Sequence, residues 1–346
     1  MVCSKRVTIT GGWGYGNLGD DAILTATLGL VSSIQPVELT VLTYEPEARL
    51  VHSYPEVQFE YSLHRSADRG ISDGLFKAID SPLSFRRWVS CRIADRVNQK
   101  LKGRLLRSSD EDLIRFQSTF DRCDLFVVGG GGYLNEGWFS KSDSIFDEVY
   151  AALKKGVNFV VAGPTLGKFS DRRLSGKVYG LLSEAKAIWV RDEFSYDDLV
   201  KKGIKSEIIA DIALSDYSYS EIDRSGFEVA VIVNKINVSF IEMLVSALKE
   251  IQGRGQCGRV VVLLSRLWEG DLKAARFMLG VARRAGLHVS VFIPGDVFEL
   301  EDRIKRCSLM VSENLHGLII AARNGVSVVS INDYPVGRAN HRKFVA

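Results

Sequence analysis

Residues 9–24 read ITGGWGYGNLGDDAIL and set five glycines between an apolar run and the start of a helical pattern. A strand, a glycine turn and a helix in this order are typical of the first βα unit of a doubly wound sheet. Gly14, Gly16 and Gly19 also have the G-x-G-x-x-G spacing of dinucleotide-binding folds. The segment therefore predicts a parallel α/β sheet with a ligand site at the end of its first strand.

The charge at the start of this helix argues against a pyrophosphate in the turn. Phosphates bind at helix N-termini because the first amides point at them, and Asp20 and Asp21 would repel a phosphate there. The two carboxylates can instead cap the helix. A dinucleotide-binding enzyme remains a possible interpretation, because Glu45 follows the second predicted strand, where such enzymes carry an acidic residue that binds the ribose. Backbone amides, carboxylates and Asn17 suit a hydroxyl-rich ligand such as a sugar better.

Short β-branched runs, each followed by a turn and a helical pattern, recur along the whole chain. This alternation indicates parallel strands joined by crossover helices. It is interrupted once, at the polar residues 214–227. We therefore predict an α/β protein of two doubly wound Rossmann-like domains, residues 1–214 and residues 215–346, which face each other across a cleft.

The composition is that of a globular protein. The 346 residues are 46% hydrophobic and carry a net charge of +3, so neither disorder nor a nucleic-acid partner is indicated. Five scattered cysteines predict neither a disulfide framework nor a zinc knuckle, and no His/Asp/Glu cluster has the spacing of metal ligands. No signal segment and no apolar run of bilayer length is visible. We expect a cytoplasmic protein without a bound metal.

Residues 85–107 form the one strongly basic segment. Eight lysines and arginines accompany a single acid, Asp95, while apolar residues recur every four positions. Such a helix either docks its apolar stripe on the domain and leaves the basic face in water, or rests on anionic lipid or an anionic acceptor. The second interpretation would place the protein peripherally at the inner face of the membrane.

A second glycine run, residues 129–132 in LFVVGGGGYLNEGW, follows another predicted strand. Two glycine turns at the carboxyl ends of neighbouring strands would expose backbone toward one crevice. Asn135 and Glu136 add polar side chains beside it. The alternative, that both runs only permit close packing of strand and helix, also remains open.

Five segments in order then show a family resemblance: G-x-G-N-x-G-D-D-A-I-L, the four-glycine strand end, AGPTLG, VRDEFS and SENLHGLIIAA. Together they resemble the polysaccharide pyruvyl transferase family over nearly the whole chain. The resemblance implies a two-Rossmann (GT-B) fold and transfer of a pyruvyl or enolpyruvyl group from phosphoenolpyruvate to a sugar or lipid-linked glycan, with no cofactor. The N-terminal domain would then hold the acceptor through Gly14, Gly16, Asn17, Gly19, Asp20, Gly130, Gly131 and Asn135.

The C-terminal domain would hold the donor. His316 lies where the family carries its motif histidine and is the candidate general acid, although a histidine hydrogen-bonded for packing would look the same. The family motif usually reads Ser-x-Arg-x-His, and here Asn314 replaces the arginine. Arg191, Arg266 or Arg338 would have to supply the missing cation, because the arginine guanidinium forms bidentate hydrogen bonds with carboxylate and phosphate.

The family's Tyr-Asp-x-Lys is also altered here, to NDYPVGR. Both altered motifs lie in the half that would bind the donor. Two alternatives to a pyruvyltransferase therefore remain open. One is a GT-B glycosyltransferase with a nucleotide-sugar donor. The other is a non-catalytic glycan-binding relative that has lost the donor clamp.

Overall fold

The computed structural model describes residues 4–14, 16–34, 37–44, 53–62, 118–135, 139–167, 169, 172–215, 227–266 and 268–331. The chain divides into two compact units. Among the described residues, unit 1 comprises those up to Gly12, residues 37–44 and those from Tyr54 to Ile208. Unit 2 comprises Trp13–Ile34, Ser53 and the residues from Ile209 on.

Unit 1 is built on a parallel sheet of seven strands in the order β3-β2-β1-β4-β5-β6-β7. The strands are β1 (Lys5–Thr10), β2 (Val37–Thr43), β3 (Gln58–Tyr61), β4 (Leu125–Val128), β5 (Asn158–Ala162), β6 (Ala187–Val190) and β7 (Glu207–Ile208). Its described helices are α2 (Phe139–Lys154), α3 (Arg172–Leu182) and α4 (Glu193–Lys201). The strands are rich in β-branched and aromatic residues, which favour a sheet covered on both faces.

The central pair of this sheet is β1 and β4, with Ile9 opposite Val127. Phe126 of β4 is fully buried and meets the ring of Phe120 edge-on at 5.1 Å between centroids. The strands that precede the two glycine runs are therefore neighbours, which is the arrangement that a shared crevice for the two turns would require.

Unit 2 has a parallel sheet of five strands in the order β10-β9-β8-β11-β12. The strands are β8 (Glu228–Ile232), β9 (Arg259–Leu263), β10 (Val289–Phe292), β11 (Leu309–Ser312) and β12 (Ser327–Ser330). The helices are α5 (Val238–Gly253), α6 (Glu269–Arg284), α7 (Val297–Lys305) and α8 (Leu315–Arg323), and a 3₁₀ turn spans Ile212–Leu214.

The period-two pattern of β9 divides the core of unit 2 into two layers. Val260 and Val262 belong to the cluster that includes α5 and α6, whereas Val261 and Leu263 belong to the cluster that includes α7 and α8. A sheet buried on both faces by helices is the arrangement expected of a doubly wound domain.

Helix α1 (Leu18–Ile34) follows β1 of unit 1 but belongs to unit 2. Its residues Leu18, Ala22 and Ile23 lie in the same apolar cluster as Leu300 of α7 and Ile319 of α8. The apolar stripe of the helix predicts that one face is buried, yet it does not say against which sheet. The sequence predicts one domain over residues 1–214, and within that range Trp13–Ile34 joins unit 2.

The α/β class and the two Rossmann-like halves agree with the sequence prediction. Strand β3 was not predicted. The basic segment 85–107, Glu136 and Arg338 lie outside the described residues. Within the part of the chain that the structure describes, no helix combines the length and the apolar character needed to span a bilayer.

Candidate functional site

The loop after β11 carries the candidate general acid. His316 is the second residue of α8 and is 8% exposed. Asn314 is the N-cap residue, and its side-chain oxygen accepts a hydrogen bond from the Gly317 amide at 3.0 Å. The Ser312 hydroxyl accepts from the Asn314 amide at 2.8 Å. These contacts fix the backbone on both sides of the histidine.

Glu313, between the last strand residue and the cap, points at the end of the neighbouring strand. Its carboxylate accepts a hydrogen bond from the Asn234 amide at 2.8 Å, and the residue is 5% exposed. The pair ties the loop after β8 to the loop after β11. Where the family motif has arginine, this chain therefore has a capping amide with a buried carboxylate beside it.

The first glycine turn is hydrogen-bonded to the two aspartates at the start of α1. Gly14 and Gly16 have φ values of 81° and 75°, a region that glycine adopts without strain. Asp21 accepts a hydrogen bond from the Gly14 amide at 3.3 Å, and Asp20 accepts one from the side-chain amide of Asn17 at 2.6 Å. Both carboxylates thus bond to turn residues.

Asp21 is a buried carboxyl at 5% exposure. Burial is the main cause that raises its pKa, the hydrogen bond from the Gly14 amide lowers it, and the charges of Asp20 and Asp296 raise it; together they bring the pKa to about 7. A carboxyl with a pKa near neutral is therefore hydrogen-bonded to the glycine turn.

The same turn is attached to the loop after β9. Asn17 and Arg266 form an isolated antiparallel bridge, and the Leu18 amide donates to the Ser265 carbonyl at 2.9 Å. On the other side, Gly19 lies against His316. The structure therefore brings the first-turn residues, which the sequence predicts for the acceptor, together with Arg266, predicted for the donor, and His316, predicted as the general acid.

Arg266 is held in one orientation by two neighbours. Its Nε and Nη2 donate to Oδ1 of Asp271 at 2.9 and 2.6 Å, and its guanidinium lies 4.6 Å from the ring centroid of Trp268. Burial raises the pKa of Asp271, while the Arg266 charge acts against that rise. Sequence reasoning missed both partners, although an acid in the first turn of the following helix was a usable signal.

The second glycine run shapes the corresponding edge of unit 1. Gly131 has φ 129°, pairs with Pro164 as a parallel bridge and accepts a hydrogen bond from the Thr165 amide at 2.9 Å. The Asn135 side-chain amide donates to the Gly132 carbonyl at 2.5 Å. Gly130, Gly131 and Asn135 thus line the loop that follows β4, beside the loop that follows β5.

Two further residues join this edge. A Cβ on Gly167 would lie 2.0 Å from Cβ of Asn135, so the end of AGPTLG must be glycine for the two loops to touch. Arg191, directly after β6, donates from Nε to the Thr165 hydroxyl at 2.9 Å. The predicted residues are therefore divided: Arg191 and the second glycine run belong to unit 1, while His316, Asn314, Arg266 and the first turn belong to unit 2.

Among the residues that the structure describes, no three His, Cys, Asp or Glu side chains are grouped so that they could hold a metal ion. In each unit the candidate residues lie in loops or helix starts at the carboxyl ends of parallel strands, and those of unit 2 include the carboxyls and the imidazole described above. Open α/β sheets bind their ligands at the carboxyl ends of their strands.

A model of the family described as "Polysaccharide pyruvyl transferase" matches residues 17–333. The match begins in the first glycine turn and extends past His316. No curated protein matches the chain.

Solved structures share the fold at low sequence identity. A UDP-N-acetylglucosamine 2-epimerase from Methanocaldococcus jannaschii has a TM-score of 0.56 and 11% identity, with 96% of this chain and 85% of that chain covered. Another crystal structure of a UDP-N-acetylglucosamine 2-epimerase gives 0.57 and 15%, with 97% and 80% covered. Phytolacca americana UGT2, complexed with UDP-2-fluoroglucose and pterostilbene, gives 0.55 and 9%, with 99% and 82% covered. The similarity shows the GT-B fold with its two Rossmann-like halves.

Proposed function

Because the chain belongs to the polysaccharide pyruvyl transferase family, we propose that it transfers a pyruvyl group from phosphoenolpyruvate to a sugar hydroxyl of a glycan or glycan precursor. The observation that carries the proposal is the contact between the two ends of the family match. Gly19 of the first turn lies against His316 at the carboxyl edge of one parallel sheet. A site assembled from both ends of a family's characteristic sequence is where we expect its chemistry.

The reaction needs one acid and an acceptor with two hydroxyls. The methylene carbon of phosphoenolpyruvate takes up a proton, which leaves an oxocarbenium-like centre at the carbon that bears the phosphate. A sugar hydroxyl adds to that carbon and loses its proton. A second hydroxyl then displaces phosphate, and the product is a cyclic ketal with a methyl group. One hydroxyl proton balances the proton added to carbon, and the other leaves with phosphate.

His316 is the residue we assign to the proton transfer. Imidazole gains and loses protons near neutral pH, which suits a general acid. The Asn314 cap and the Gly19 contact hold the start of α8 and the ring in one place. Fixed geometry of this kind is what a proton transfer to carbon requires.

The donor carries a carboxylate and a phosphate, so the site must also supply positive charge or hydrogen bonds. We assign Arg266 and the side-chain nitrogen of Asn314 to the donor, and we propose Arg191 and Arg338 as further cations. The two nitrogens of Arg266 that bind Asp271 hold its plane fixed. A preoriented guanidinium loses less entropy when it binds an anion.

For the acceptor we propose the second glycine run of unit 1. Gly130, Gly131 and Asn135 offer backbone amides, carbonyls and a side-chain amide at a strand end. Such groups suit sugar hydroxyls. A lipid-linked acceptor and a peripheral contact with the membrane through residues 85–107 belong to this proposal.

A nucleotide-sugar glycosyltransferase is the second candidate. The observation that favours it is the loss of the family arginine at Asn314, next to the carboxylate of Glu313, which weakens an anion clamp. The non-catalytic glycan-binding alternative rests on the same replacement.

The deciding experiment offers the purified protein phosphoenolpyruvate together with sugar nucleotides or lipid-linked sugars. The proposal predicts release of inorganic phosphate and a gain in the mass of the sugar by one pyruvyl group. Stabilisation against heat by phosphoenolpyruvate is expected in the same samples, because a ligand that binds only the folded state raises the melting temperature. Stabilisation by a nucleoside diphosphate alone would favour the glycosyltransferase, and sugar binding without any donor effect would favour the glycan-binding protein.

A further inference from the structure

We infer that Gly19 is a positioning residue for His316: because it has no side chain, the first turn of α1 can lie against the imidazole and set the direction of the ring. The inference deepens the proposed function, on which its activity readout rests. The contact itself is a property of unit 2 and does not depend on the reaction.

The contact is too close for any side chain at position 19. A Cβ there would lie 2.3 Å from Nδ1 of His316, 2.6 Å from its Cβ and 2.7 Å from its Cγ. Carbon and nitrogen atoms in van der Waals contact stand well over 3 Å apart. A methyl group at position 19 therefore requires the imidazole to turn and, because Cβ of His316 does not move with the ring, one of the two helices to shift as well.

Helix α1 is anchored on both sides of the contact. Before Gly19, Asn17 is bridged to Arg266 and the Leu18 amide is bonded to Ser265. After it, Ala22 and Ile23 are fully buried in the apolar cluster with α7 and α8. Withdrawal of the helix would break these bonds and open a cavity in the core, which is costly.

The backbone of α8 is anchored as well. Asn314 caps the helix through the Gly317 amide. Gly317 is pressed against β8, since a Cβ there would lie 2.7 Å from Cδ1 of Ile232. With both helices held, rotation about χ1 of His316 relieves the contacts with Nδ1 and Cγ, but the contact with Cβ of His316 requires a small backbone shift as well. Gly19→Ala is therefore expected to turn the ring away from its present direction and to displace the start of α1 or α8 slightly.

Displacement of the His316 ring in Gly19→Ala should slow the proton transfer rather than the binding of substrates. A misplacement of about 1 Å in a reacting group costs on the order of 100-fold in rate. We expect Gly19→Ala to lower kcat by about that factor with little change in the KM of the acceptor. An acceptor-binding role for the turn would instead raise the acceptor KM at unchanged kcat.

Gly29→Ala is the matched control. Gly29 lies in the same helix and is exposed, and a methyl group added to it would have no atom within 4 Å. Alanine is favoured over glycine inside a helix, so this variant should melt at the same or a higher temperature than the wild type and keep its kcat. In an NMR spectrum of the histidine side chains, the imidazole signal of His316, assigned by its loss in His316→Gly, should move in Gly19→Ala and stay in place in Gly29→Ala.

A double-mutant cycle tests the contact by stability alone. Gly19→Ala should lower the melting temperature, and the combination with His316→Gly, which removes all three clashing atoms, should restore a large part of that loss. A double variant that melts as low as the sum of the two single losses, or that does not fold, would overturn the inference. So would an unmoved His316 signal and unchanged kcat in Gly19→Ala. If the wild type releases no phosphate from phosphoenolpyruvate, the proposed function fails while the cycle still decides the role of Gly19.

Discussion

Asp21 accepts a hydrogen bond from the backbone amide of Gly14, with 3.3 Å between the nitrogen and Oδ1. A carboxyl at the start of α1 thereby holds the first glycine turn in the conformation that its positive φ angles define. The same carboxyl is buried, with its pKa raised from 3.8 to about 7. Its protonation therefore affects stability in the neutral range.

We predict that Asp21→Asn removes a dependence of stability on pH. Between pH 3.8 and about 7, the carboxyl is ionised in the unfolded chain and protonated in the folded protein. The unfolded state then binds fewer protons, so the free energy of unfolding falls as pH rises and loses up to about 4 kcal/mol by pH 7. Asparagine keeps a hydrogen-bond acceptor without the charge.

Urea denaturation at a series of pH values checks this prediction. The variant should gain stability relative to the wild type as pH is raised from about 4 to about 8. Asp302→Asn, at an exposed position of α7, controls for a change of charge alone. A stability difference between Asp21→Asn and wild type that is the same at every pH would contradict the account.

Arg323 is a buried arginine, 1% exposed, that bonds to Glu301 and donates to the Ala213 carbonyl at 2.9 Å. Burial disfavours the charge of Glu301, but the Asn324 amide and Arg323 outweigh it and keep its pKa below the usual value. We predict that Arg323→Met lowers the free energy of unfolding by up to about 3–5 kcal/mol, because the buried carboxylate of Glu301 loses its buried cation and keeps only the less buried Lys305, 3.3 Å away.

Arg254→Met is the control for that experiment. Arg254 pairs with Glu250 at the surface of α5, where both side chains are well exposed, and such pairs contribute less than about 1 kcal/mol. Replacing Glu301 by leucine together with Arg323→Met should recover part of the loss. Equal denaturation midpoints for Arg323→Met and Arg254→Met would show that the buried pair is not important for stability.

The contact between Gly167 and Asn135 gives a third prediction. The added methyl of Gly167→Ala would lie 2.0 Å from Cβ of Asn135, so we expect a loss of about 1–3 kcal/mol from overpacking. Gly180→Ala, in α3 with open space around it, should be neutral or stabilising by up to about 1 kcal/mol. Thermal melts of the two variants compare them directly. A Gly167→Ala protein as stable as Gly180→Ala would mean that the loops after β4 and β5 do not need this close approach.

The strands were the most predictable part of the molecule. Runs such as LFVV and LMVS are continuous and β-branched, which is the pattern of strands covered on both faces. Strand β3, with the sequence QFEY, alternates polar and apolar residues over four positions and gives a much weaker signal.

The position of α1 could not be read from its sequence. Its apolar residues fix which face is buried, but the partner surface on α7 and α8 is formed by residues nearly the whole chain away. For the same reason the contact of Gly19 with His316 has no local signature. The third glycine of the fingerprint looks like a phosphate-loop residue in sequence, and in the structure it makes room for an imidazole.

Protonation of carbon is the central claim, and it is tested most directly by a reaction in deuterated water. We predict that the wild-type protein, given phosphoenolpyruvate and its acceptor, forms a pyruvylated sugar with one deuterium in the new methyl group and releases an equal amount of phosphate. His316→Gln should abolish both products while it stays folded. A wild-type protein that leaves phosphoenolpyruvate intact with every acceptor, or a His316→Gln variant that turns over like the wild type, would contradict this account.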